Sequence, residues 1–331
     1  MRIIYLGTPE FAVPTLEKLF AWRHGEVVAL VTQPDRPAGR GKHIFPPPTK
    51  VVASAHGIPI FQPEKLSRSP ETVQAMRDLK PDVLVMVAFG QILKKEVLTM
   101  APMGVVNLHG SLLPKLRGAA PINWAIINGE TETGNTTMFS DSGVDTGHML
   151  LKQVVPITPN MTAEELAETM SIAGADLVIQ TLEQLVAGTL RGTPQDDAGA
   201  TFAPRLSKDM GQIDWKQPAQ KIHDLVRGLY PWPGTFTHLN GTTVKIISTS
   251  IVEHDPPDNQ EVDLPCGSII AAGKHVYVTC GEAGKELIEL LEVQPPNKAR
   301  MKATDWVNGS RLKTGVLLGA ANVSDAAESK S

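Results

Sequence analysis

Within Arg2-Ile3-Ile4-Tyr5-Leu6-Gly7-Thr8-Pro9-Glu10-Phe11, Ile3 to Leu6 is an unbroken apolar run that stops at a glycine and passes into helix-start chemistry. A strand buried on both faces reads this way, because neither face needs polar residues. Thr8 is placed to cap a helix, with Pro9 at its first position and Glu10 in its first turn. Phe11, Val13, Leu16, Leu19 and Phe20 then recur at helical spacing. Similar runs lie at Glu26 to Thr32, Ile58 to Phe61, Asp82 to Val87 and Gly104 to Leu108, with a short helix expected at Lys50 to His56. Strands alternating with helices in this order predict an α/β domain: an open, Rossmann-like, mostly parallel sheet covered by helices. A helix from Pro121 through Ile127, two strand-like stretches (Thr133 to Phe139, Gly147 to Val155) and a helix from a Thr162 cap to Val186 complete it.

Beyond this the pattern changes. Residues 190–209 hold Gly192, Pro194, Asp196, Asp197, Gly199 and Pro204 without a period, and read as a crossing segment and linker. Ile213 to Leu229 looks helical up to the break at Tyr230-Pro231-Trp232-Pro233-Gly234. Short strands between turn signals follow at Thr235 to Leu239, Thr242 to Ser248, Gly267 to Ala271, Val276 to Thr279 and Leu287 to Val293. They predict a small β-barrel of OB-like type. The expected division is therefore 1–189, a linker 190–209, a β domain 210–318 and a disordered Ala/Ser-rich tail 319–331.

The bulk properties exclude several function classes. A formal net charge of −4 argues against wholesale coating of nucleic acid, though not against a local basic surface. Aromatic residues at 5% do not supply a broad base-stacking platform. Cys266 and Cys280 lack the spacing of a metal knuckle and read as thiols in a reducing compartment. No apolar run reaches the ~18 residues of a membrane span, and no signal peptide precedes the first strand. A soluble cytoplasmic protein is expected, with no membrane partner, although an uncleaved organellar form stays open.

The candidate chemistry lies where a strand ends. Asn107-Leu108-His109-Gly110-Ser111-Leu112-Leu113-Pro114 follows Val105-Val106, and Arg117-Gly118-Ala119-Ala120-Pro121 comes soon after. Ligands of open α/β sheets bind at the carboxyl ends of strands. Asn107 and His109 are two residues apart, so on a strand they share a face. Either alone would more often be an ordinary hydrogen-bonded loop residue; the pairing is what raises the functional reading. Asp141-Ser142-Gly143-Val144-Asp145-Thr146-Gly147 is a second candidate that, taken alone, is most simply a turn.

These segments carry a resemblance. Asn107, His109 and Asp145, with Ser111-Leu112-Leu113-Pro114 between them, resemble the site of the folate-dependent formyltransferases. The likeness extends to Gly7-Thr8-Pro9-Glu10-Phe11-Ala12, Val87-Ala88-Phe89-Gly90 and Arg117 to Pro121. It continues through Gly143 to Gly147, Asp214-Trp215, Arg227 to Gly234 and Met301 to Gly309. Within that family it is closest to the members that act on methionyl initiator tRNA, and it covers the chain from Arg2 to about Leu317.

The resemblance implies formyl transfer from 10-formyltetrahydrofolate to the α-amino group of tRNA-bound methionine. It assigns catalysis to Asn107, His109 and Asp145. It places folate against Val87, Ala88, Phe89 and Gly90 and against Ser111, Leu112, Leu113 and Pro114. No metal is required, and neither a Walker pattern nor G-x-G-x-x-G is present. A tRNA acceptor stem would meet the Thr32 to Lys42 loop, with Arg36, Arg40 and Lys42, and the same long loop continues to Lys50. The inside corner of the tRNA would meet the second domain, where Lys298, Arg300 and Lys302, with Arg311 and Lys313, form a local basic cluster. A monomer is expected. A small amine as acceptor, a catalytically inactive tRNA- or folate-binding protein, and a formate-releasing hydrolase stay open at this point.

Overall fold

The computed structural model describes residues 1–38, 43–252 and 264–319. They fall into two compact units. One comprises Met1–Ile122, Glu132–Pro156 and Glu165–Arg205; the other comprises Asn123–Thr131, Ile157–Glu164 and the described chain from Leu206 onward.

As far as Arg205 the strands are β1 (Arg2–Gly7), β2 (Glu26–Val31), β3 (Arg36–Ala38), β4 (His43–Phe45), β5 (Ile60–Phe61), β6 (Val83–Val87), β7 (Val105–His109), β8 (Arg117–Gly118), β9 (Glu132–Phe139), β10 (Met149–Pro156) and β11 (Phe202–Ala203). The helices are α1 (Val13–Ala21), α2 (Pro48–Ala55), α3 (Pro70–Asp78), α4 (Lys95–Leu98), α5 (Pro121–Ile127) and α6 (Ala163–Val186). The main sheet runs β10-β9-β7-β6-β1-β2-β5. Its five strands from β7 to β5 are parallel; β9 is antiparallel to β7, and β10 to β9.

The alternation of side chains along β1 explains the unbroken apolar run. Ile3 and Tyr5 enter one core with Leu16, Leu19, Leu177 and Leu182. Ile4 and Leu6 enter another with Val73, Met76 and Val97. All four β1 residues are fully buried, and each such large apolar side chain contributes roughly 1.5–3 kcal/mol. The chain winds outward from β1 to β2 and β5, then returns to β6 on the other side of β1. The sheet order therefore reverses between β1 and β6, which opens a crevice at the ends carrying Gly7 and Val87, with His109 one strand further on.

Two local expectations need correction. Thr8 caps no helix: a 3-10 turn (Glu10–Ala12) precedes α1, and Thr8 Oγ1 accepts the Gln33 N–H at 3.3 Å. The helix expected from Ile213 begins only at Ala219. The Asp214 carboxylate accepts the Lys216 N–H and closes a turn there, and Pro218 cannot supply a helical N–H. Residues 190–205 fall within the first unit, where β11 pairs in parallel with β8. Of the expected tail at 319–331, only Gly319 lies within the described residues.

The second unit contains α7 (Ala219–Gly228), β12 (Thr235–Leu239), β13 (Thr242–Ile251), β14 (Ile269–Ala272), β15 (His275–Cys280), β16 (Glu286–Gln294), β17 (Met301–Lys302) and α8 (Ala303–Gly309). Its antiparallel sheet runs β12-β13-β16-β15-β14, with β17 also paired to β16. Asn240 and Gly241 both adopt positive φ at the tip of the β12–β13 hairpin, the chemistry expected of a tight two-residue turn. Trp215, Ile222, Val226, Val244, Val278, Leu290 and Trp306 fill the core. Burial pushes the Cys280 thiol up to about 12, so it stays protonated. Among the described residues no helix is long and apolar enough to cross a membrane.

Candidate active site

Strand β7 delivers the two central side chains. It lies between β6 and β9, with Asn107 beside Met86 and Met138 and His109 beside Thr136. Asn107 is 7% exposed and His109 6%. Nothing among the described residues hydrogen-bonds the Asn107 carboxamide. Although the residue is largely buried, its amide is not among the side-chain polar atoms sealed from solvent, so it stays open to a ligand at the strand end.

The tautomer of His109 follows from its surroundings. Its Nε2 lies 2.9 Å from the Leu116 carbonyl oxygen, which can only accept. Nε2 therefore carries a proton in every charge state of the ring. The Nδ1 edge faces the carboxylate of Asp145, with Oδ1 at 3.6 Å. Nδ1 is thus the ring nitrogen left to meet the carboxylate.

Asp145 reaches this position from a strained stretch. Its φ is +55°, a left-handed conformation that Asp tolerates better than most residues. The preceding turn is closed by Asp141 Oδ1, which accepts the Gly143 N–H at 2.9 Å and the Thr146 hydroxyl at 2.7 Å. Asp145 Oδ2 accepts the Gly118 N–H at 2.9 Å. Gly118 has φ +123°, and a Cβ there would press against the Ala203 carbonyl oxygen. A glycine is thus required where the chain turns its N–H to the carboxylate.

The loop after β7 is fastened to itself and to β9. Ser111 Oγ donates to Lys115 O at 2.6 Å, and Thr136 Oγ1 donates to Ser111 O at 2.7 Å. Leu113 N donates to Thr136 Oγ1 at 3.2 Å, Lys152 Nζ donates to Leu113 O at 2.6 Å, and the Leu113–Pro114 peptide is cis. Ser111 and Leu113 are fully buried, while Leu112 and Pro114 are half-buried. Much of the loop's main chain is already occupied, so it presents a wall more than a set of hydrogen bonds. After β6, Val87 and Phe89 point into the two cores, and Ala88 and Gly90, both at positive φ, are the exposed members. The Phe89 carbonyl already accepts Gln33 Nε2 at 3.1 Å.

The expected RNA-contacting residues divide. Arg36 is exposed on β3, which pairs with β4, where Ile44 and Phe45 are also exposed. Arg40 and Lys42 lie outside the described residues. Lys50 is spent within the protein: its Nζ lies 2.7 Å from Asp35 Oδ2. Gln62, donating to Asp35 at 2.7 Å, is the main cause that holds that carboxyl below its ordinary value, with Lys50 second. In the second unit, Lys298 and Lys302 are exposed and make no ion pair among the described residues. Arg300 is engaged: it bonds the Glu292 carboxylate and the Tyr230 hydroxyl, and Glu292 chiefly raises its pKa.

Sequence reading missed the residues that brace the site from 190–205. Gln195 Nε2 donates to the carbonyls of Asp145 at 2.7 Å and Gly147 at 2.9 Å. Its Oε1 accepts Arg117 Nε at 2.9 Å, and Arg117 Nη2 reaches Asp197 at 2.8 Å. Thr201 Oγ1 accepts the Leu116 N–H at 2.9 Å. These are side-chain-to-backbone links in an irregular segment, and no periodicity announces them. Among the described residues no group of three or more His, Cys, Asp or Glu side chains is placed to hold a metal ion.

Comparison with known proteins defines the class to which this fold and strand-end site belong. Residues 1–182 match the family described as formyl transferase, and residues 205–311 match its C-terminal domain. The methionyl-tRNA formyltransferase of Geobacter metallireducens is 48% identical over 320 residues, covering 96% of this chain and 99% of the relative. That of Ruminiclostridium cellulolyticum is 46% identical over 319 residues, covering 96% and 100%. The chain belongs to the methionyl-tRNA formyltransferase family. Among solved structures, a sugar 3N-formyl transferase crystallised with dTDP and 5-N-formyl-THF has TM-score 0.64 at 20% identity, over 90% of this chain and 99% of that one. An N-formyltransferase from Helicobacter canadensis, in complex with folinic acid and dTDP-3-aminofucose, has TM-score 0.63 at 19% identity, over 88% and 98%. Both share the fold.

Proposed function

We propose that this protein transfers a formyl group from 10-formyltetrahydrofolate to the α-amino group of methionine on initiator tRNA. The observation that carries the reading is the solvent-reaching Asn107 carboxamide, with no hydrogen-bond partner among the described residues, on the strand that also presents the His109–Asp145 pair. An amide donor and an imidazole edge backed by a carboxylate suit a carbonyl that becomes an oxyanion. The donor fits: the exposed backbone of Ala88 and Gly90 and the apolar wall of Leu112 and Pro114 offer a flat ligand one polar and one apolar side.

When bound, 10-formyltetrahydrofolate supplies an electrophilic formyl carbonyl on N10. The Asn107 Nδ2–H donates toward that carbonyl oxygen as charge develops on it, with the His109 ring held beside it by Asp145 and the Leu116 carbonyl. Each such donor is typically worth ~3–4 kcal/mol in the transition state. Asp145 holds the imidazole and receives the proton that the α-amine loses when it attacks; the same proton passes to the departing folate nitrogen. An α-amine has a reference pKa near ~8, so a neutral nucleophile exists at physiological pH without metal activation. Arg36, Arg40 and Lys42 are assigned to the acceptor stem, and Lys298 and Lys302 to the tRNA inside corner; Arg300 joins them only by leaving Glu292.

The test supplies donor labelled in the formyl carbon together with initiator Met-tRNA, elongator Met-tRNA and a panel of small amines, including glycinamide ribonucleotide and amino sugars. Label on initiator Met-tRNA at a kcat/KM far above every other acceptor is expected. Preferential labelling of a small amine, or release of formate without an acceptor, contradicts the reading.

A further inference from the structure

We propose that Gln195 is a positioning residue for Asp145, and that the segment 190–205 is a working part of the transferase site. The inference rests on the catalytic reading of Asp145 given above. Gln195 uses its whole amide. Both Nε2 hydrogens are committed, one to the Asp145 carbonyl and one to the Gly147 carbonyl. The Oε1 atom receives Arg117 Nε. The opposite amide orientation would set an oxygen against two carbonyls and an NH2 against a guanidinium, so only this one is stable.

The two ends of that amide hold the two sides of one carboxylate. On one side Gln195 grips the main chain of Asp145 itself, in a left-handed conformation that needs outside support. On the other it holds Arg117, whose successor Gly118 gives its N–H to Asp145 Oδ2. Asp197 fixes the far face of the same guanidinium, and Arg117 is buried. Gly147 packs closely against β9: a Cβ there would overlap the Phe139 carbonyl oxygen, so only glycine fits. Gln195 therefore sets the distance between the Asp145 carboxylate and the His109 Nδ1 edge, now 3.6 Å. It makes no hydrogen bond to His109 or Asn107 among the described residues and needs no contact with substrate.

Gln195→Glu is the sharpest variant. It is nearly isosteric and keeps an acceptor for Arg117, but it loses both donors and turns charge toward two carbonyls. Gln195→Leu is the second, neutral variant. Each is made in the wild-type and in the Asp145→Asn background, where Asn still tolerates positive φ. Steady-state kinetics with Met-tRNA and 10-formyltetrahydrofolate, and melting temperature, are measured for all. Displacing a catalytic group by about 1 Å can cost ~100-fold, so kcat is expected to fall between about 10- and 100-fold. Both KM values are expected within about twofold and the melting temperature nearly unchanged. In the Asp145→Asn background the further loss is expected to be under about twofold, because the group being positioned has gone. Wild-type kcat in Gln195→Glu and Gln195→Leu overturns the proposal. So does a full extra loss on top of Asp145→Asn, and so does unfolding of both variants, which would make the residue structural. If Asp145→Asn itself turns over normally, the catalytic reading of Asp145 is what has failed.

Discussion

The rim of the first sheet and the basic patch at 298–302 are both polar regions assigned to substrate, and they are built in opposite ways. At the rim, Asn107, His109 and Arg117 are buried, and Asp145 is tied through its carboxylate and its carbonyl. Around 298–302 the cations stand in solvent, and among the described residues only the Arg300 side chain has a partner. Fixed donors in a covered place lower a barrier because they need no reorganisation at the moment of reaction. Solvated lysines bind a polyanion by releasing counterions, which tolerates motion and depends on salt. The contrast separates turnover from affinity, and mutations should follow that division.

The largest effect is expected for Asp145→Asn, which removes the charge behind His109 while preserving shape. Turnover should fall about 10³-fold in steady-state assays, within the usual span for a proton-transfer group, with tRNA affinity measured by filter binding unchanged. A comparable loss of affinity would erase the division between the two regions. Next comes Lys298→Ala combined with Lys302→Ala. Affinity for tRNA should drop, and the slope of log K against log salt should become shallower by about one per lysine, while kcat at saturation holds. A lowered kcat with an unaltered salt slope would assign these lysines elsewhere. Smallest is Arg300→Ala. The guanidinium already satisfies Glu292 and Tyr230, so tRNA affinity should stay within about twofold and stability within ~1 kcal/mol, as for an exposed pair. A tenfold loss of affinity would mean that Arg300 abandons Glu292 for RNA.

How far the sequence disclosed this molecule depended on what each segment hydrogen-bonds to. β1, β6 and β7 were legible because strands buried on both faces must be apolar throughout. The Asn107 and His109 pair was legible because strand geometry gives residues two apart one face. Helix α3 was not read: its exposed face leaves Val73 and Met76 as its only buried residues, too short a stripe to stand out. Thr8 looked like a cap because Pro9 and Glu10 follow it, yet its hydroxyl serves the chain after β2 instead. The bracing role of 190–205 was not legible because Gln195, Asp197 and Thr201 bond to partners some 50 to 85 residues away. Such long-range bonds leave no local pattern. The composition likewise hides that Lys50 is neutralised by Asp35, since charge counts do not say which charges meet.

The account turns on Asn107, whose carboxamide reaches solvent at the strand end and makes no hydrogen bond among the described residues. Single-turnover formyl transfer to initiator Met-tRNA, with both substrates saturating, should be slowed about 10²- to 10³-fold in Asn107→Ala, the usual cost of losing one oxyanion donor. Equilibrium affinities for folate and tRNA should hold. A single-turnover rate within about threefold of wild type would contradict the assignment of that amide to the reacting carbonyl, and with it the chemistry proposed for the site.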